Sequence, residues 1–281
     1  INGPSFTIER NKNGKFDFGI GDYRQDEEIV KKFKKVFFED VLQNKVYELE
    51  QIKIFNAKIY YMDNLINRKV NSKDTDLIIT KNKSKIESVL ISTIEEKNQN
   101  IPIKISSLYN IESEVFDIGI NFSNFSTSLI TPFFDELDPL KRITLPLDGG
   151  LSLKVNRKGL LENLGFNFFS VKEGELSLDP LIKKNIYVDF IQASGEIDRS
   201  LDKVYFNDLY ISSKTAKFEA AGVISNSNGG TIKLKGKVRD WSNDDLKRLW
   251  PENILPPVRG WYIRSIKKGK ITDGDVLLDI S

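Results

Sequence analysis

The sequence predicts a mostly β protein built on a long antiparallel sheet. Many segments alternate apolar and polar residues with a period of two, which is typical of strands with one apolar and one solvated face. Short turn sequences such as DGG and TDGD separate these segments. A parallel sheet would need crossover connections of a dozen or more residues, and the chain has too few helical patterns to supply them.

The clearest strand is TIKLKGKV, which begins at Thr231. Its lysines fall on one face and its apolar residues on the other. The same pattern recurs along the chain, and we expect the apolar positions to face inward. These positions are Ile101, Ile103, Ile105, Phe116, Ile118, Ile120, Phe122, Leu151, Leu153, Val155, Ile186, Val188, Phe190, Ile232, Leu234, Val238, Val276, Leu278 and Ile280.

One amphipathic helix is predicted over residues 26–44, where apolar residues follow a 3.6-residue period and three acidic residues occupy the first turn. It should lie on the sheet or close one end of it. The expected boundary follows this helix. Residues 1–45 should form a β-hairpin plus the helix, and residues 46–281 should form the antiparallel β segment.

Two shorter helices are predicted over residues 132–140 and Asn243–Leu249. Ser242 should cap the second, because a serine side chain accepts hydrogen bonds from the free N–H groups of a first turn. Trp250 should end it, since the proline that follows disfavours helical backbone at this residue.

Composition excludes several classes of function. The 281 residues contain 42 Lys and Arg against 40 Asp and Glu, so no strongly basic surface for nucleic acid is expected. Histidine and cysteine are absent, which excludes a Ser-His-Asp relay, a cysteine nucleophile, the usual zinc sites and disulfides. The TDGD turn lacks the spaced ligands of a calcium loop. We therefore predict no metal and no cofactor.

Catalysis by carboxylates stays open as an alternative. Glycoside hydrolysis needs two carboxyl groups across a cleft, and neighbouring acids occur at Glu173 and Glu175 and at Asp244 and Asp245. Charged turns carry the same pattern, and the sequence does not place either pair in a cleft.

A segment near the end of the chain suggests a family. LWPENILPPVRGWYIRSIKKGKITDGDVLLDI, which begins at Leu249, resembles a signature of the AsmA-like bridge-like lipid-transfer proteins of Gram-negative bacteria, of the YhdP and TamB type. In that pattern a Trp-Pro ends a short helix, a proline and an arginine precede another tryptophan, and a glycine step leads into a strand. The matching residues are Trp250, Pro251, Pro257, Arg259, Trp261, Ile266 and Gly269.

Weaker motifs spread the resemblance over most of the chain. PSFTIERNKNGKFDFGI from Pro4 and IKIFNAKIYYMD from Ile52 are similar to the repeated strands of the family, and LPLDGGLSLKVNRKG and FEAAGVI are similar to later strands. The membrane-anchoring helix of the family is missing. Because the chain begins at Ile1 and has one methionine, Met62, we expect an internal piece of a longer protein.

The resemblance implies a sheet curled into an open groove, often likened to a taco, whose apolar side carries phospholipid acyl chains. It implies a non-enzymatic protein of the periplasm, anchored in the inner membrane outside this segment. Phospholipids would be its cargo, with outer-membrane or other envelope proteins as further partners. The inward-facing positions given above would then form the lipid-binding groove.

The proline-rich segment should form a structural corner made by Trp250, Pro251, Pro257, Arg259 and Trp261. Prolines fix φ and remove backbone donors, so the chain should leave the sheet there. We expect the two tryptophans to cover an apolar edge and Arg259 to bind free carbonyls or stack on an indole. A competing interpretation is a phosphate site at Arg259 or Arg264.

A second function class also stays open. The same alternating strands suit a closed β-sandwich, a binding or adhesion module of the cell envelope without lipid cargo. Periodicity alone does not distinguish an apolar face that is sealed from one that is open to a ligand.

Overall fold

The structure, a computed structural model, describes residues 1–20, 50–96, 99–129, 131, 143–170, 172–178, 182–225, 230–250, 252 and 255–280. The prediction of a mostly β fold with antiparallel order is confirmed. The helices predicted over residues 26–44 and 132–140 and the boundary at residue 45 lie outside the described residues. The chain forms two compact units, residues 1–123 with 153–160 and residues 124–152 with 161–281.

Unit 1 is a sheet of long strands. Its ladder runs β7-β6-β5-β4-β3-β1-β2, and its neighbours pair antiparallel except β1 with β3, which pair parallel. The N-terminal hairpin therefore adds to the same sheet. Its strands are β1 Ser5–Arg10, β2 Phe16–Ile20, β3 Gln51–Asp63, β4 Arg68–Lys81, β5 Lys85–Glu96, β6 Gln99–Asn110 and β7 Val115–Phe125.

Unit 2 holds a second antiparallel ladder, β16-β15-β14-β13-β12-β9, and a separate pair, β10 with β11. A short 3₁₀ helix at Thr127–Leu129 also belongs to this unit. The strands that follow β7 are β8 Leu147–Asn156, β9 Leu161–Ser170, β10 Gly174–Leu178, β11 Ile182–Val188, β12 Phe190–Ile197, β13 Lys203–Ser213, β14 Ala216–Ser225, β15 Thr231–Ser242 and β16 Lys270–Ile280. Strand β8 contributes residues to both units.

Bulges keep the apolar residues of each sheet on one face. In a regular strand, residues three apart point to opposite faces. Phe206 and Leu209 are three apart, and the register of β13 shifts between them, so that they pair with Gly222 and Ala220 on one face. An inserted residue in the bulge restores the phase of the pattern.

Two helices separate β15 from β16. Helix α1, Asn243–Leu249, begins at Ser242, whose hydroxyl accepts from the Asp245 N–H at 3.0 Å, and the Asp245 carboxylate accepts from the Ser242 N–H at 3.2 Å. This capping box and the end at Trp250 confirm the predicted helix. Helix α2, Pro256–Ser265, was not predicted.

Candidate functional site

The register of β6 and β7 places the predicted apolar residues of unit 1 on one face. Ile103 pairs with Phe122 and Ile105 with Ile120, while Ser107 pairs with Ile118. Residues directly opposite each other in an antiparallel pair project to the same side. The prediction of a shared face is confirmed for Ile101, Ile103, Ile105, Phe116, Ile118, Ile120 and Phe122.

The same side continues over strands whose alternation is not evident from the sequence. Leu90 pairs with Ile105 and Leu77 with Leu90. Serines and bulges interrupt the alternation of apolar and polar residues in β3, β4 and β5. A period-two pattern therefore does not identify the apolar residues of these strands. We call the whole set the unit 1 face; its further members include Phe6, Ile8, Ile52, Ile54, Ala57, Ile59, Tyr61, Leu77, Ile79, Ile86, Leu90 and Ile94.

At one end of the unit 1 face a cluster of its own side chains excludes solvent. There Ile79 and Ile86 are buried, and Ile52, Leu77, Tyr109 and Ile111 pack against them. Tyr109 also stacks on Phe116 with ring centroids 4.3 Å apart. Away from this cluster Ile54, Ala57, Ile101 and Phe122 are also buried, whereas Leu90, Ile105, Ile118 and Ile120 are only half-buried. Large apolar side chains in the middle of the face therefore keep solvent-accessible surface.

Hydroxyl groups on the unit 1 face bind one another. Thr75 Oγ1 lies 2.7 Å from Ser92 Oγ, and Ser88 Oγ lies 2.8 Å from Ser107 Oγ. Thr75 and Ser92 are buried. A hydroxyl that already has a hydrogen-bond partner loses little when water leaves. The hydroxyls on this face are therefore satisfied within the protein and do not need water as a hydrogen-bond partner.

A buried carboxylate anchors one corner of the unit 1 face. Asp63 is 1% exposed and lies 3.2 Å from the Arg10 guanidinium. It accepts a hydrogen bond from the Tyr61 hydroxyl at 2.8 Å and from the N–H groups of Leu65 and Ile66. Burial raises the pKa of Asp63, but these hydrogen bonds and the Arg10 charge outweigh it and hold the pKa below its usual value.

Unit 2 has a corresponding apolar side. Leu234 pairs with Leu278, and Ile232 pairs with Ile280. Phe218 on β14 pairs with Val238. The prediction of a shared face is confirmed for Ile232, Leu234, Val238, Val276 and Leu278. With Leu164, Phe166, Phe168, Ile191, Ala193, Val204, Phe206, Leu209, Ile211, Phe218, Ala220 and Ile224 they make up the unit 2 face.

The opposite side of β15 and β16 is a charge ladder. Lys233 pairs with Asp279 and Lys237 with Asp275, and the Arg239 Nε lies 3.4 Å from the Asp273 carboxylate. The lysines are exposed whereas Leu234 is 6% exposed. This side is solvated, as the alternation predicts.

The structure corrects the placement of Phe190. The period-two pattern predicts that Phe190 shares a face with Ile186 and Val188. In the structure the chain bends at Asp189, and Phe190 begins a new strand, β12. Its neighbour Ile191 pairs with Ile211 on the unit 2 face, so Phe190 lies on the other side, where its ring meets Tyr210 edge-on. A period-two count does not extend across a break between strands.

Ile186 and Val188 are also placed outside the long ladder. They pair with Leu176 and Gly174 in the two-stranded sheet. Val188 is fully buried, and Leu145 packs so closely on Gly174 that a Cβ there would meet its Cγ at 2.9 Å. This sheet is filled by its own side chains, so these two residues are not part of an open groove.

The predicted positions Leu151, Leu153 and Val155 lie on β8 and are half-buried.

The corner between β15 and β16 is helical. Arg259 Nε donates to the Trp250 carbonyl at 3.0 Å, which confirms the prediction that this arginine binds a free carbonyl. Trp250 packs on Tyr262 with ring centroids 5.8 Å apart. Trp261 is 56% exposed, so the expectation that it covers an apolar edge is wrong. Pro257 lies in the first turn of α2, and Pro251 lies outside the described residues.

The neighbouring carboxylates have structural partners. Asp245 belongs to the capping box of α1. The Glu175 carboxylate accepts from the Asn185 amide at 2.8 Å, and Glu173 accepts from the Tyr187 hydroxyl. The latter hydrogen bond raises the pKa of Tyr187 to about 12. These contacts hold Glu173 just before β10, Glu175 within β10 and Asp245 in the first turn of α1.

Comparison with protein-family models, with curated proteins and with solved structures gives no match. None of the helices in the described part of the chain is both long and apolar enough to cross a bilayer.

Proposed function

We propose that the unit 1 and unit 2 faces bind phospholipid acyl chains, and that the chain is a non-enzymatic segment of a lipid conduit. The observation that carries this proposal is the half-burial of large apolar residues at register-matched positions, such as Leu90, Ile105 and Ile120. Soluble proteins rarely leave contiguous apolar surface uncovered, and larger patches mark binding sites. A flexible acyl chain suits an extended apolar surface better than a compact ligand does.

The free energy of lipid transfer explains the use of such a surface. A phospholipid that leaves a bilayer exposes about thirty methylene groups, at about 0.8 kcal/mol each. The resulting penalty is on the order of 20 kcal/mol, which makes free diffusion through water very slow. An apolar face lowers this barrier by contact alone. No covalent step is required, which is compatible with a chain that has no histidine or cysteine.

The motif resemblance to the AsmA-like family supports the setting of this activity. The proposed location is the periplasm of a Gram-negative bacterium, where the protein links inner and outer membranes. In the full-length protein an anchor outside this segment would hold it to the inner membrane. Phospholipids are the proposed partner, and envelope proteins would receive or deliver them.

We propose that acyl chains lie along the middle of the unit 1 face. The cluster around Ile79 and Ile86 fills one end of the face. The half-buried positions in the middle, Ile105, Ile118 and Ile120, keep accessible surface. We assign the lipid path to this middle region.

A closed binding module is the second candidate. The buried cluster at Ile79 and Ile86, together with fully buried Ile101, favours it because these residues pack as a β-sandwich core would. The two candidates differ in one measurable property, which is whether phospholipid touches the half-buried positions in cells.

Photo-crosslinking distinguishes them. A photoreactive amino acid is placed in turn at Ile118 on the unit 1 face and at Phe218 on the unit 2 face. The matched controls are the adjacent residues Asp117 and Lys217, which point to the opposite sides. After illumination in cells, covalently attached phospholipid is detected by mass spectrometry.

The conduit predicts attachment at Ile118 and Phe218 and little at the two controls. Attachment at Asp117 and Lys217 alone would reverse the assignment of faces. No attachment at any of the four positions would instead support the closed module.

A further inference from the structure

Helix α2 carries exposed apolar residues that no other described residue covers. Val258 is 45% exposed and Trp261 is 56% exposed, and they lie one turn apart on the same side of the helix. Leu255, just before the helix, is 62% exposed. None of the ten residues of α2 is buried, although most helices in proteins are stabilised by packing an apolar side.

The same segment is strongly cationic. Five lysines and arginines and no acidic residue occur between Leu255 and Lys270. Two of these cations are engaged with the protein, since Arg259 binds the Trp250 carbonyl and Lys270 pairs with Asp240. Arg264, Lys267 and Lys268 are exposed. Three accessible positive charges therefore adjoin the exposed apolar residues.

We infer that the α2 segment, residues 255–268, docks on an anionic bilayer surface. Tryptophan is enriched at the boundary between head groups and acyl chains, because its ring is apolar and its N–H is polar. Basic residues beside an apolar helix side bind anionic head groups, and such helices lie in the plane of the interface. The charge of the segment is complementary to an anionic lipid surface.

A bilayer fits this surface better than a folded protein partner. Lysine is rare at the centre of protein–protein interfaces, and such interfaces require well-packed surfaces of complementary shape. Here the apolar residues protrude from one short helix, and two of the three exposed cations, Lys267 and Lys268, are lysines, which suits an anionic lipid surface. The inference does not depend on lipid binding by the sheet faces, because surface docking and acyl-chain transport use different residues.

Vesicle flotation tests the inference with the purified chain. The probes are vesicles of phosphatidylethanolamine with phosphatidylglycerol, compared with vesicles of phosphatidylcholine alone. The variants are Trp261→Ser and the pair Lys267→Gln with Lys268→Gln. The matched control is Lys233→Gln with Lys235→Gln, which removes the same charge from exposed positions on β15.

We expect binding to the anionic vesicles only, and weaker binding at high salt because salt screens exposed charges. Each lysine removed from the segment should weaken binding about fivefold, since one basic residue near an anionic surface contributes about 1 kcal/mol. Trp261→Ser should also reduce binding, without loss of folding because this side chain is exposed. The control pair should bind as the parent protein does.

Any of three results would overturn the inference, and a fourth would relocate the contact and so overturn it as well. The three are no flotation with anionic vesicles, equal flotation with phosphatidylcholine, or an equal loss in the β15 control pair. Flotation that survives Trp261→Ser and the lysine changes would place the contact elsewhere. Photo-crosslinking at Ile118 is read out separately, so failure of docking and failure of the proposed lipid path are distinguishable.

Discussion

At the scale of single residues, Asp63 shows how a charge is accommodated beside an apolar face. Its carboxylate has four partners: Arg10, the Tyr61 hydroxyl and two backbone N–H groups. An isolated buried carboxylate would be strongly unfavourable, whereas one with several donors is stabilised. The same donors fix the turn between β3 and β4 and attach it to β1.

Replacement of Asp63 by Asn should therefore destabilise the protein. The change removes the charge that pairs with Arg10 and weakens the acceptor for Tyr61, and we expect a loss of about 2–3 kcal/mol in the free energy of unfolding. Urea denaturation measures it. Asp117→Asn is the control, because Asp117 is exposed and lies 3.8 Å from Lys154. Equal effects of the two substitutions would contradict the anchoring role.

The stability due to Asp63 should also depend on pH. Its pKa is lowered in the folded state from a usual value of 3.8. The unfolded state then takes up the proton first, so the contribution is complete above about pH 4 and is lost as the pH falls through the folded pKa. The difference in unfolding free energy between the parent and Asp63→Asn should be constant around neutral pH. It should shrink as the pH falls below about 4. Asp198 and Asp240 also have a lowered pKa, but both proteins contain them and the difference removes their effect. A gap that persists to the lowest pH would show that the charge is unimportant.

At the scale of secondary-structure elements, close strand packing depends on glycine at specific positions. A Cβ on Gly236 would lie 2.0 Å from the Glu219 carbonyl oxygen and 2.8 Å from the Ala220 Cβ. Both contacts involve atoms held by the neighbouring strand β14, which does not move independently of the ladder. Glycine therefore permits the observed approach of β15 to β14.

We expect Gly236→Ala to lower the free energy of unfolding by about 2 kcal/mol, because the two strands must move apart. Gly269→Ala is the matched control, since nothing lies within 4 Å of a Cβ at that position. Thermal and urea unfolding of both variants provide the measurement. If Gly236→Ala were as stable as Gly269→Ala, the close approach would not constrain the fold.

The elements differ in how well the sequence predicts them. Period-two alternation identifies β6, β7, β15 and β16 because most of their outward positions are polar. It misses the continuation onto β3, β4 and β5, where bulges change the phase and hydroxyl residues face the apolar side. Helix α1 follows from its capping residue. Helix α2 was missed because two adjacent prolines were taken only as a break, although proline also favours the first turn of a helix.

At the scale of the whole molecule, each unit repeats one design, an antiparallel ladder with one apolar and one polar side. The sequence predicts which residues share a side wherever consecutive strands belong to one ladder. It fails at Phe190 and Val188, because a pattern along the chain does not reveal that β11 leaves the long ladder. Exposure is the other property that periodicity does not give. An isoleucine in a sealed core and one on an accessible face have the same sequence pattern.

That difference in exposure leads to the last prediction, which concerns bound lipid. Ile118→Asn places an amide on the accessible middle of the unit 1 face and should reduce the phospholipid that copurifies with the protein about fivefold, equivalent to about 1 kcal/mol of lost apolar contact. Ile91→Asn is the matched control, because Ile91 is 51% exposed and lies on the opposite side of the same sheet. Phospholipid per protein is measured by mass spectrometry after gel filtration, with circular dichroism to verify that both variants fold. Equal lipid content in the two variants, or no phospholipid in the parent protein, would contradict an acyl-chain path on this face, because only one of the two isoleucines projects toward it.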